Sequence, residues 1–334
     1  RVRALFARDA DLARAYNQTM AGGKWSHMMD QTHIGYTSWD QPATNVMPAV
    51  TDLTVPAAAA MGVAIDGSPA WWPAQAAIAK VRAAQAKIVR EKAKSWLDVA
   101  YGESPRERLD IYAPDRANGT VLIYIHGGYW RSGSKEDNCN FVPTFTKRGA
   151  TVVLVEYDLC PQVTVTDIVR QTRAAIAWVH KNILRYGGDP AKLYLSGHSA
   201  GAHLTAMALA NDWTQAEVPQ DCIKGAVATS GVFDLEMVMR ISVQEQVRMT
   251  PEIAKLNSPF ENPPRVRCPL VVAVGGAEPQ GWQQMSEDYF NFCKLKGVAV
   301  EYLIVPGANH YTMSEKLLDD TNPLTQAMIK QMGI

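Results

Sequence analysis

From residue 121 onward the chain alternates between two hydrophobic rhythms. Continuous apolar runs at 121–125, 151–155, 192–195, 225–229, 270–274 and 298–305 have the length and composition of strands buried on both faces. Between them, longer stretches with helical spacing cover 141–148, 165–186, 202–210, 282–295 and 324–332. Short apolar strands alternating with helices predict an α/β fold whose mainly parallel sheet carries helices on both faces. The run Arg108-Leu109-Asp110-Ile111-Tyr112 alternates polar with apolar. It predicts an antiparallel edge strand leading into that sheet.

The first seventy residues break this rhythm. A helix is expected over 9–20 and a strand over 51–56. Between them lies a stretch rich in Trp, His, Met and Pro, running from Lys24-Trp25-Ser26-His27 to Gly35-Tyr36. The segment 74–94 is rich in Ala and Lys, lacks a strong breaker and reads as a connecting helix. The expected organisation is an irregular N-terminal appendage over 1–73, a connecting helix over 74–94 and one large α/β domain over 95–334.

Composition narrows the partners. The 334 residues carry 33 basic and 33 acidic side chains, for a formal net charge of zero, and 47% of residues are apolar. Such a balance gives no footprint for nucleic acid. No run approaches the roughly 18 apolar residues of a membrane span, so no membrane partner is expected. The five cysteines, Cys139, Cys160, Cys222, Cys268 and Cys293, are odd in number, far apart and never in a Cys-x-x-Cys pair. That pattern reads as buried free thiols rather than disulfides or a zinc site. This cysteine usage favours a cytoplasmic location. The chain begins with Arg1, so a removed signal peptide, and with it a secreted or periplasmic location, stays open.

The candidate chemistry centres on Gly197-His198-Ser199-Ala200-Gly201, set between an expected strand and an expected helix. A Gly-x-Ser-x-Gly in that context is a nucleophile elbow, a tight turn that lifts the serine hydroxyl above the sheet edge. A second element follows the strand at 121–125: His126-Gly127-Gly128-Tyr129-Trp130. Loops of this type turn backbone N–H groups toward the anionic oxygen of a tetrahedral intermediate. Each such donor is worth about 3 kcal/mol. The expected oxyanion hole uses the amides of Gly128, Tyr129 and Ala200, with Gly127 as an alternate.

The base follows by elimination. Of seven histidines only His203 and His310 come after Ser199, and the order in this fold is Ser, acid, His. His203 sits one helical turn beyond the nucleophile and cannot swing back to take its proton. His310, in Pro306-Gly307-Ala308-Asn309-His310-Tyr311, lies just after the last expected strand. The acid must fall between Ser199 and His310 at a strand's C-terminal end. Glu278, after the strand at 270–274 and the turn Gly275-Gly276-Ala277, fits best. Asp234 is the rival, but Leu235-Glu236-Met237-Val238 follows it, as expected of a helix cap. His126 and His198 are expected to support the site by packing and hydrogen bonding. No metal and no cofactor are called for.

At these residues the chain resembles kynurenine formamidases (arylformamidases) and their bacterial relatives, close to the hormone-sensitive-lipase-like esterases of the α/β-hydrolase superfamily. The resemblance spans about 95–334. It rests on His126-Gly127-Gly128-Tyr129-Trp130, on Ser196 through Leu204, and on Gly276-Ala277-Glu278 with Gln283-Gln284-Met285-Ser286. The Tyr-Trp pair is more typical of formamidases than of general esterases. The resemblance implies an α/β-hydrolase fold and cofactor-free hydrolysis of an aryl formamide or small carboxylic ester. The segment 241–258, with Gln244, Glu245, Gln246 and Arg248, departs from the pattern and reads as a cap over the substrate pocket.

Residues 9–73 are similar instead to a region of xylan α-glucuronidases that lies beyond their catalytic barrel. The similarity rests on Gly22-Gly23-Lys24-Trp25, Met28 through Tyr36, Met61 through Ser68 and Trp71-Trp72-Pro73. It implies xylan acetyl or feruloyl esters as alternative substrates; Trp25, Trp39, Trp71 and Trp72 read first as packing against the hydrolase and, as the alternative, as polysaccharide contacts. A hydrolase-fold binding protein without catalysis is the reading from another class. Such proteins usually lack the serine, the histidine or the oxyanion glycines, and all are present here.

Overall fold

A computed structural model describes residues 71–334. Eight strands form one sheet: β1 (Ser95–Ala100), β2 (Arg108–Tyr112), β3 (Gly119–Ile125), β4 (Thr151–Val155), β5 (Gly188–His198), β6 (Ile223–Thr229), β7 (Leu270–Gly275) and β8 (Val300–Val305). Their spatial order is β1-β2-β4-β3-β5-β6-β7-β8. The β1–β2 and β2–β4 pairings are antiparallel, and every later pairing is parallel.

Strand periodicity explains the layering. Along β3, Val121, Ile123 and Ile125 enter one core, while Leu122 and Tyr124 enter the other. Successive side chains point to opposite faces, so a continuous apolar run demands cover on both sides. The helices α1 (Trp71–Lys92), α2 (Val142–Thr146), α3 (Val165–Asn182), α4 (Ala200–Leu209), α5 (Gln244–Val247), α6 (Pro251–Leu256), α7 (Gln280–Leu295) and α8 (Pro323–Met332) complete the described part. Helices α3, α4 and α7 cover one face through Ile168, Ile176, Leu204, Trp282 and Tyr289. Helices α1, α2 and α8 cover the other through Val89, Phe145, Leu324 and Met328. Helix α3 begins at a reciprocal cap: Thr164 accepts from the Asp167 amide and the Asp167 carboxylate accepts from the Thr164 amide.

Three sequence-based expectations need correction. Arg108–Tyr112 is antiparallel but does not form the edge, because β1 lies outside it. Strand β1 carries no alternating signal: Trp96 and Leu97 are both exposed, and the register slips between Trp96 and Val99, where Asp98 has a φ of 56°. The strand before the elbow starts at Gly188 rather than 192, despite Pro190. The long helix expected over 165–186 ends at Asn182, and a 3-10 turn at Ile183–Tyr186 closes it on Gly187. The helix expected over 9–20, the strand over 51–56 and the tryptophan-bearing stretch before Trp71 lie outside the described residues.

Candidate active site

The loops that matter leave one edge of the sheet. Ile125 pairs with Gly197, and His198 pairs with Thr229, so β3, β5 and β6 end nearly level. His126 follows the first, Ser199 the second and Ser230 the third. Glu278 and His310 follow β7 and β8 on the same side.

The elbow is tight. Ser199 adopts φ 59°, ψ −120° between β5 and α4, a conformation costly for a residue with a side chain. Helix α4 begins directly behind it and presses on the end of β3. A Cβ on Gly201 would stand 2.1 Å from the Ile125 carbonyl oxygen, so only glycine permits this approach. The Ser199 amide donates to the Thr229 carbonyl at 2.9 Å, which fixes the turn to β6. Ala200 is the first residue of α4, and a helix offers no acceptor to an amide in that position.

The His-Gly-Gly loop lies against the elbow. A Cβ on Gly127 would sit 2.9 Å from the Ser199 Cβ. Gly128, Tyr129 and Trp130 then run through φ values of 113°, 49° and 56°. The turn closes on itself, the amides of Arg131 and Ser132 donating to the Gly128 carbonyl at 3.0 and 3.1 Å. His126 braces the loop from behind. Its Nδ1 lies 2.8 Å from the Gly127 oxygen and its Nε2 lies 3.0 Å from Glu156 Oε1. Its ring stacks on Tyr157 with centroids 4.2 Å apart. Burial works against the Glu156 carboxylate, yet His126, the Lys135 amide and Arg106 hold its pKa below the usual range.

His310 and Glu278 meet directly, with Nδ1 2.8 Å from Oε2 and both residues buried. The other carboxylate oxygen accepts from the Gly275 amide at 2.8 Å and from the Ser230 hydroxyl. The loop bearing His310 organises itself through Asn309, whose side chain accepts from the amides of Tyr311 and Thr312 at 3.0 and 3.1 Å. Two rings flank the imidazole: Trp282 at 4.2 Å and His198 at 4.5 Å between centroids. Burial, then the neighbouring His310, then Arg82 push the pKa of His198 well below its ordinary value. The loop against which His198 packs is therefore the one carrying His310, and His198 is neutral there.

The remaining candidates separate cleanly. His203 points into the core, its Nε2 2.8 Å from the Asn257 carbonyl and its ring edge-on to Trp130. Asp234 accepts from the Glu236 amide at 3.0 Å, a local turn bond just before the 3-10 turn at Glu236–Arg240, whose cap position is Leu235. The segment expected as a cap folds as α5 and α6, and Gln246 takes a 2.7 Å hydrogen bond from Arg131 beside the His-Gly-Gly loop. Sequence reasoning did not find Ser230, Trp282, Glu156 or Arg82. Ser230, Glu156 and Arg82 reach the site from distant parts of the chain, and Trp282, four residues past Glu278, stood only as the expected start of a helix. Among the described residues no group of His, Cys, Asp and Glu could hold a metal ion, and no helix is long and apolar enough to cross a membrane.

The sequence has relatives among known proteins. The BD-FAE family model matches residues 109–277. A kynurenine formamidase of Salmo salar is 38% identical over 253 residues, which is 73% of this chain and 84% of that protein. A kynurenine formamidase of Danio rerio is 35% identical over 276 residues, 79% of this chain and 92% of its own. The chain belongs to the kynurenine formamidase family of α/β-hydrolases. An esterase of Pyrobaculum calidifontis, 20% identical, superposes with a TM-score of 0.61 over 78% of this chain and 93% of its own, a likeness of fold alone. Membership of this family makes the protein a hydrolase that acts on a small-molecule substrate.

Proposed function

We propose that the protein cleaves a small aryl formamide or carboxylic ester through an acyl-enzyme on Ser199. The observation that carries this reading is the 2.8 Å bond between His310 and Glu278, made one ring away from the nucleophile's neighbour His198. Glu278 fixes the tautomer in which Nε2 of His310 is the nitrogen that accepts a proton. Ser199 gives that proton to His310 as its oxygen bonds to the carbonyl carbon, and the carbonyl electron pair moves to oxygen. The amides of Gly128, Tyr129 and Ala200, with Gly127 as an alternate, hold the oxyanion. The intermediate collapses, the C–N or C–O bond breaks, and His310 protonates the departing amine or alcohol. Water then repeats the sequence and releases formate or another carboxylate.

The names of the two fish relatives support the formamide, and the Tyr129-Trp130 pair points the same way. The test compares wild type with Ser199→Ala on N-formylkynurenine and on p-nitrophenyl acetate. We expect both activities in the wild type and a loss of at least a thousandfold in the variant. Unchanged activity in the variant removes the mechanism. Turnover of the ester alone removes the formamidase reading and leaves the triad standing.

A further inference from the structure

Helix α1 reads from sequence as a connector, but it touches the site. Its Ala86 and Val89 are buried against the sheet face that α2 and α8 also cover. From the same helix Arg82 reaches the segment immediately after His310. Its Nε donates to Glu315 Oε1 at 2.6 Å, and its Nη2 donates to the Ser314 hydroxyl at 3.2 Å and to the Tyr311 carbonyl at 3.3 Å. Tyr311 is the residue next to His310. Glu315 is 3% exposed, and its second oxygen accepts from Asn140 at 3.3 Å. The guanidinium is also close enough to His198 to disfavour a charge there.

A histidine that must serve a carboxylate and a serine at once tolerates little displacement, on the order of 0.5 Å. On its upstream side the His310 loop is tied to the Glu278 turn, where the Ala277 amide donates to the Ala308 carbonyl at 2.9 Å. On its downstream side the Asn309 bonds hold the loop to itself, and Arg82 ties it to α1. A buried carboxylate that loses its cation must move or take up a proton, and Glu315 is five residues from the base.

We propose that Arg82 is a positioning residue for the reaction, holding the segment 311–315 so that His310 stays aligned between Glu278 and Ser199. The proposal rests on the reading of His310 as the base. It makes α1 part of the working enzyme rather than a tether to what precedes it.

The test is steady-state kinetics on p-nitrophenyl acetate, with thermal melts, for Arg82→Gln, Arg82→Lys, the double variant Arg82→Gln/Glu315→Gln, and Ser199→Ala. Displacement by about 1 Å costs up to a hundredfold. We expect kcat to fall tenfold to a hundredfold in Arg82→Gln with KM within about twofold, and Arg82→Lys to recover part of it. The double variant, which removes both charges, should regain melting temperature without regaining kcat. A wild-type kcat in folded Arg82→Gln, or full recovery of kcat in the double variant, overturns the proposal. If Arg82→Gln does not fold, the charge-balanced double variant decides. Activity retained by Ser199→Ala would instead overturn the underlying triad, a result distinct from a normal kcat in Arg82→Gln beside an inactive Ser199→Ala.

Discussion

The ring of His126 bridges the Gly127 carbonyl and the Glu156 carboxylate, which ties the His-Gly-Gly loop to the end of β4, where the Tyr157 hydroxyl also donates to the His126 carbonyl. Arg106 adds an ion pair on the same carboxylate oxygen. Glu156 titrates below its ordinary value in the native state, whereas the unfolded chain titrates near the ordinary one. Its contribution is therefore complete above the ordinary carboxylate range and is lost as pH falls through the native value. We expect urea midpoints to drop as pH is lowered below about 4.5, and Glu156→Gln to flatten that drop. At pH 7 the same substitution should cost about 3 kcal/mol, as for a broken buried pair, with a fall in kcat from the loosened loop.

The buried imidazole of His203 acts with a similar sign in a different window. Burial pushes its pKa down to about 4 from the ordinary 6.5. Between these values the unfolded chain binds a proton that the native state refuses, so stability falls as pH drops from 6.5 toward 4. The full effect is about 3 kcal/mol. Denaturation at pH 7 and pH 4.5 should show the loss, and His203→Gln should lessen the difference between the two.

Two carboxylates compete for the acid role, and substitution separates them. Glu278→Gln leaves one oxygen, which the Gly275 amide and the Ser230 hydroxyl hold, and so turns an NH2 toward His310; it should lower kcat by about 10²- to 10⁴-fold, as the wrong tautomer does in related triads. Asp234→Asn keeps an oxygen for the Glu236 amide and should leave kcat within about threefold, since a local turn bond contributes about 1 kcal/mol to stability rather than to catalysis. Parallel kinetics on one ester decide between them. A strong loss in Asp234→Asn with little change in Glu278→Gln reverses the assignment.

Gly201→Ala tests the elbow's packing. The added methyl would meet the Ile125 carbonyl oxygen at 2.1 Å, and a backbone neighbour cannot step aside as a flexible side chain can. Overpacking of this kind costs about 1–3 kcal/mol. Calorimetry should show a clear fall in melting temperature, together with lost activity as Ser199 is displaced. An unchanged melting temperature would mean that α4 can retreat from β3.

The parts legible in the sequence are those written in one stretch of chain. The central strands announce themselves as apolar runs, and the elbow as five adjacent residues. Glu278 was the expected acid from its place just past β7, and the structure sets it against His310. Strand β1 was not, because half-exposed Trp96 and Leu97 with a bulge at Asp98 leave no alternation to read. Arg82 was not, because 233 positions separate it from Glu315 and an arginine on an Ala/Lys-rich helix looks like any solvated one. Ser230 and Trp282 likewise gain their meaning only once the sheet brings their loops to one edge.

All five thiols of the chain are buried in this fold. Burial raises Cys139 and Cys160 to about 11 and Cys222, Cys268 and Cys293 to about 12. Thiolate is the reactive form, so a thiol reagent meets almost none of it at neutral pH until the domain opens. Cys139 and Cys293 lie on opposite faces of the sheet. Their separate rates of modification form a two-channel clock, timing how each layer lets go without any label or substitution being introduced.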